Sequence, residues 1–200
     1  MTVAIRKPAW AACLTLALAL PIAVTAADAP SLRPDHSGYR PPHRPTTLTE
    51  KVRRATAKYR DINVALYEHW KPATPCVSGP NTGAMGVHFV LPERLADAAV
   101  YAETPEALIY EPQPDGSMRL VGVEFILFQA NWDNSPHTDP APKLEGHLMN
   151  LVGAPNRYGL DAFYELHVWA WEDNPEGSFA DWNTHVTCEN QPLDEHSHPY

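Results

Sequence analysis

Apolar positions along this chain change their period part-way. From Leu48 to Trp70 they recur at three- and four-residue steps: Leu48, Val52, Ala55, Tyr59, Ile62, Leu66 and Trp70. That is one stripe of an amphipathic helix. Thr47 stands three residues before Glu50, a capping box that satisfies free amides at the helix start. Pro72 and Pro75 end the pattern. Beyond Cys76 the period falls to two. "GVHFVL", "PEALIYEP", "LVGVEFILFQ" and "AFYELHVWAW" read as strands, and "PDGS" between the second and third reads as a hairpin turn. "GHLMNLV" is a further short apolar element. These elements predict an α+β domain over residues 47–190, an N-terminal amphipathic helix packed on an antiparallel sheet. Parallel pairing would need a second helical crossover, and none is visible.

A curled sheet or small barrel of cupin-like architecture is the expected shape. The flanks carry different signals. Residues 1–27 have Arg6 and Lys7, then an apolar run broken by Pro21, then small residues, which predicts a cleaved signal peptide and no stable membrane span afterwards. Residues 28–46 form a proline-rich arm, and residues 191–200 a flexible tail. The protein is therefore expected to be exported, periplasmic or secreted. Removal of the signal takes Cys13 with it, so Cys76 and Cys188 most simply pair as a disulfide in an oxidising compartment.

Charge is unevenly placed. Residues 28–71 hold 9 Lys/Arg and 5 Asp/Glu, whereas residues 72–200 hold 4 and 19. An acidic body argues against nucleic acid as a partner. The basic side of the helix is free to meet acidic groups of the body or a protein partner.

Candidate chemistry lies inside the strands. His88 shares a face with Gly86 and Val90, and Glu124 with Gly122 and Ile126. Glu165 and His167 share theirs with Phe163, Trp169 and Trp171. His147 opens "HLMNLV". A carboxylate buried in such surroundings costs several kcal/mol, of order, unless it is paired, protonated or bound to a cation. His88, Glu124, His147 and His167 thus make a candidate shell for zinc, copper, iron, manganese or nickel. Glu165, Arg157 and Trp169 are candidates to support the shell or touch a ligand, Arg157 through its planar fork. A hydrogen-bonded buried network accounts for the same residues as simply, and a solvent-exposed face would leave nothing to explain. The glycine-rich "VSGPNTGAMG" is no phosphate loop, because no GK[ST] closes it and a strand follows. No G-x-S-x-G elbow marks a serine hydrolase.

The phrases "YRDINVAL", "PCVSGPNTGAMGVHFV", "PEALIYEP", "LVGVEF" and "APNRYGLDAFYELHVWAWEDNPEGSFADWN" resemble a family of exported bacterial proteins to which no reaction is attached. The resemblance implies that the glycine loop, His88, Glu124, His167, Cys76 and Cys188 belong to a shared pattern. Two functional classes follow from the residues. One is a mononuclear metal protein of oxidoreductase or lyase type acting on a small molecule. The other is a non-catalytic protein, either a small-ligand binder or a cell-envelope interaction protein without metal.

Overall fold

A computed structural model describes residues 46–96 and 98–191. The predicted signal peptide, the arm up to residue 45 and the tail from residue 192 lie outside the described residues.

The chain starts with α1 (Leu48–Thr56). Its capping box is formed: the Glu50 amide donates to Thr47 Oγ1 at 3.2 Å, and the Thr47 amide donates to Glu50 Oε2 at 2.9 Å. The predicted single helix does not run on to Trp70. A 3-10 turn at Ala57–Arg60 interrupts it, and α2 (Ile62–Tyr67) restarts from an Asp61 cap whose Oδ1 accepts from the Asn63 amide at 3.0 Å. An aspartate inside an apolar pattern competes for the backbone and restarts the helix. The break also rotates the stripe, so that Ala65 is buried and Leu66 is exposed.

The strands are β1 (Lys71–Pro72), β2 (Val77–Gly79), β3 (Gly83–Val90), β4 (Ala107–Pro112), β5 (Met118–Phe128), β6 (Lys143–Leu144), β7 (His147–Leu148), β8 (Asn150–Val152) and β9 (Phe163–Val168). Short helices α3 (Pro92–Ala96) and α4 (Gln129–Asp133) follow β3 and β5. The main sheet runs β1-β3-β4-β5-β9-β8, with β2 also on β3, and every pairing is antiparallel. β4 and β5 form the predicted hairpin across the "PDGS" turn, where Gly116 supplies the positive φ of 82°. The expected barrel is not formed. The sheet stays open because its ends, β1 and β8, are two and three residues long and do not pair with each other.

Both faces of the central strands are covered. One face carries Val87, Phe89, Leu108, Tyr110, Val123, Phe125, Leu127, Tyr164, Leu166 and Val168, in one buried cluster with Leu48, Val52, Tyr59, Ala65 and Trp70. A register shift between Ile109 and Tyr110 leaves Val121 unopposed, because Ile109 faces Gly122 while Tyr110 faces Leu120. This bulge turns Leu120 towards the first cluster and Val121 towards the other face.

Several cations of the first helices are engaged within the chain. Lys51 pairs with Glu145, Lys58 pairs with Glu68 at 2.5 Å, and Arg53 Nε donates to the Ala170 carbonyl at 2.6 Å. Cys76 and Cys188 are joined at 2.07 Å across 112 residues. No described helix is long and apolar enough to cross a membrane.

Candidate metal centre

The second face of the sheet holds two small apolar clusters with a polar band between them. Ala84, Ile109, Val121, Trp169 and Val186 form one cluster; Ala107, Ile126 and Phe163 form the other. Along β9 and the residue after it the order is Phe163, Glu165, His167, Trp169, so the polar pair falls between two aromatic walls. On β5, Glu124 lies between Val121 and Ile126. On β3, His88 lies between Ala84 and Val90. Strand pairing then aligns the band: Glu124 opposes His167 on one side and Ala107 on the other.

These groups are shut away from water. His88 and Glu124 are 5% exposed, Glu165 is 4% exposed and His167 is 1% exposed. The exposed-face reading therefore fails. His88 Nε2 lies 3.3 Å from Glu124 Oε2, and its Nδ1 lies 3.3 Å from Thr74 Oγ1. With Thr74 on Nδ1, the nitrogen left to face the carboxyl is Nε2. Glu124 and Glu165 are diagonal neighbours across β5 and β9, and burial together with the nearby Glu165 favours the protonated form of Glu124. The His167 ring sits edge-on to His88, with centroids 5.8 Å apart. Neither nitrogen of His167 has a hydrogen-bond partner among the described residues, although Asp181 Oδ1 lies 3.8 Å from Nδ1.

Burial sets the charge states. It pushes His88 down to about 3, helped by the neighbouring His167, and pushes His167 down to about 4. Both imidazoles are neutral at neutral pH, the form that binds metal. Burial holds Glu124 well above the usual carboxylate range, reinforced by the charge and hydrogen bond of Glu165. Burial also lifts Glu165 to about 6, against the hydrogen bond from Glu124. Among the described residues neither acid is ion-paired with an arginine: Arg119 is held by Glu111 at 2.6 Å and by Glu172.

Two sets of donors result. In each, one ligand atom per residue lies within 4.8 Å of the others: His88, Glu124 and His167 in one set, Glu165, His167 and Asp181 in the other. Ligands about 2.0–2.2 Å from a common ion lie roughly 3–4.4 Å apart, so the spacing of the first set needs only small side-chain adjustment to accept one.

Other predicted residues sit elsewhere. The structure does not bring His147 to either set. It belongs to the separate β6–β7 hairpin, turned by Glu145 and Gly146 at φ 49° and 89°, and its ring lies on Phe179 at 3.9 Å. Trp169 is buried and its indole N–H donates to the Ala180 carbonyl at 2.6 Å, so it is a wall of the site rather than an open stacking surface. Arg157 is exposed in the turn before Tyr158.

Sequence reasoning missed Thr74, Asp181 and Tyr158. Burial, with acidic groups nearby, pushes the Tyr158 hydroxyl up to about 12, and the hydroxyl makes a long contact, 3.6 Å, to Met85 sulfur. All three are in connecting segments without hydrophobic periodicity, which leaves no positional signal to find them by. No protein-family model, curated protein or solved structure matches the chain.

Proposed function

We propose that this is an exported metalloprotein that holds one divalent transition metal through His88 Nε2, the Glu124 carboxylate and His167, and that it works as a metal-dependent oxidoreductase or lyase. The observation that carries this reading is His167: a fully buried imidazole with no hydrogen bond at either nitrogen among the described residues, only Asp181 Oδ1 standing 3.8 Å from Nδ1, beside a second buried imidazole and two buried carboxyl groups. An orphaned buried polar group costs about 1–3 kcal/mol, and coordination would remove that cost. Two imidazoles and one carboxylate form a donor set that leaves coordination positions open and suits iron, manganese or zinc better than a thiolate-seeking ion. Both described cysteines are in the disulfide.

A metal at this place would polarise a bound substrate or activate water or dioxygen. The chain's own groups do the rest. Glu124 would pass its proton to Glu165 when an ion binds, Glu165 would hold that proton beside the site, and the aromatic walls of Phe163 and Trp169 keep bulk water out. Lyase chemistry would use the same positions. Export is supported by the Cys76–Cys188 bond, which persists in oxidising compartments.

The test is metal content by elemental analysis of disulfide-intact protein, beside the double variant His88→Ala/His167→Ala. Roughly one ion per chain in the wild type, lost in a variant that keeps its near-UV circular dichroism, is the expected result. A wild type that takes up no zinc, iron, manganese or copper on incubation overturns the reading.

A further inference from the structure

We infer that Asp181 is the positioning residue of this centre: its carboxylate takes the Nδ1–H of His167 and so turns Nε2 of that ring towards His88 and Glu124. The purpose of the arrangement rests on the metal reading above; its geometry does not.

Three observations converge on Asp181. First, its Oδ1 is the carboxylate oxygen 3.8 Å from His167 Nδ1, and Asn150 Nδ2 donates to that same oxygen at 3.2 Å, which orients the carboxylate. Glu165, the other acid of that donor set, is only 4% exposed and offers no water-contacting carboxylate. Second, the backbone around Asp181 is pinned on both sides. The Trp169 indole N–H donates to Ala180 carbonyl at 2.6 Å, Asn174 Nδ2 donates to Trp182 carbonyl at 2.9 Å, and Asn183 and Ala84 exchange amide–carbonyl bonds, each at 3.1 Å. Third, the other histidine is treated alike: Thr74 Oγ1 stands at His88 Nδ1 and leaves Nε2 to Glu124.

The Asp181 side chain is 35% exposed while that of His167 is 1% exposed. The carboxylate can therefore stay charged in contact with water while reaching a dry ring. Its 3.8 Å separation is longer than a hydrogen bond, and a side-chain rotation that closes the gap by about 1 Å completes the bond. Such outer partners fix the tautomer of a ligating histidine and raise its basicity.

The experiment uses the whole disulfide-bonded chain, with Asp181→Ala, Asp181→Asn and Trp169→Phe. Nitrogen-15 NMR of the metal-free protein reads the His167 tautomer. Competition of zinc(II) against a chromophoric chelator reads affinity, and cobalt(II) absorption reads the donor set. The expected result is an Nδ1–H tautomer in the wild type that is lost in Asp181→Ala, with zinc affinity weakened by about 10- to 100-fold. Asp181→Asn, which keeps an acceptor oxygen, should restore the tautomer and part of the affinity. Trp169→Phe, which keeps the ring but releases Ala180, should weaken zinc in the same direction.

An unchanged tautomer and unchanged affinity in a folded Asp181→Ala overturn the inference. So does a cobalt spectrum showing one oxygen donor fewer in Asp181→Ala, because Asp181 would then be a ligand itself. A wild type that binds no ion but whose His167 tautomer still depends on Asp181 sinks the metal reading and leaves the positioning role standing.

Discussion

His88 and Glu124 meet at 3.3 Å although their strands are not neighbours: β4 lies between them, and the residue it places opposite Glu124 is Ala107. His88 itself faces Ile109, so the imidazole and the carboxyl meet diagonally over β4, and the fully buried Ala107 is the small side chain directly opposite Glu124. The approach of the two donors thus depends on a small side chain that has no polar role.

Ala107→Val should separate the pair. Overpacking a tight core costs about 1–3 kcal/mol, and here the added methyls fall opposite Glu124 on the buried face. Denaturant unfolding should show that loss, and zinc binding should weaken by more than in Ile126→Val, which trims the same cluster without crowding the pair.

Glu165 gives a pH prediction with a definite sign. Its folded value, about 6, is raised above the usual 4.5. Its contribution is therefore fully present below about pH 4.5 and lost as pH rises through 6. Relative to Glu165→Gln, metal-free wild type should lose on the order of 1–2 kcal/mol between pH 4.5 and 7. The histidines act in the opposite sense. Their folded values, about 3 and about 4, lie below the usual 6.5. Their contribution is full above pH 6.5 and falls away as the pH drops towards 4. Urea midpoints across pH 4–8 for wild type, Glu165→Gln and His88→Gln separate the two slopes; a flat difference between wild type and Glu165→Gln would refute the assignment.

Metal should also stabilise the fold. An ion that binds only the native state adds about 2.7 kcal/mol at a hundredfold excess over its Kd. Zinc or iron(II) added to chelator-treated protein should raise the melting temperature by several degrees, of order, and His167→Ala should abolish the shift.

Cys76 and Cys188 close a loop of 112 residues. On the chain-entropy account that constraint contributes about 5 kcal/mol. Cys76→Ser should lower the denaturant midpoint by an amount that reductant reproduces in the wild type. Equal midpoints with and without reductant would show that the bond contributes nothing to stability.

By itself the sequence determined the helix start at Thr47, the hairpin across "PDGS", the alternation that puts Glu165 and His167 on one face, and the choice of His88, Glu124 and His167 as residues too polar for their runs. These signals are local: a cap, a turn or a period of two is written within a few neighbouring residues. The break at Asp61 was present as a capping residue but hidden beneath a continuous apolar stripe. Tertiary structure alone decided that the sheet stays open, that a bulge at Val121 turns Leu120 away from the site, and that Asp181 rather than His147 stands beside His167. Each of these depends on pairing between distant segments. An imidazole on a hairpin and a carboxylate in a loop carry no periodicity, so only the register of β5 with β9 and the pinned loop after Trp169 could bring one to the site and leave the other against Phe179.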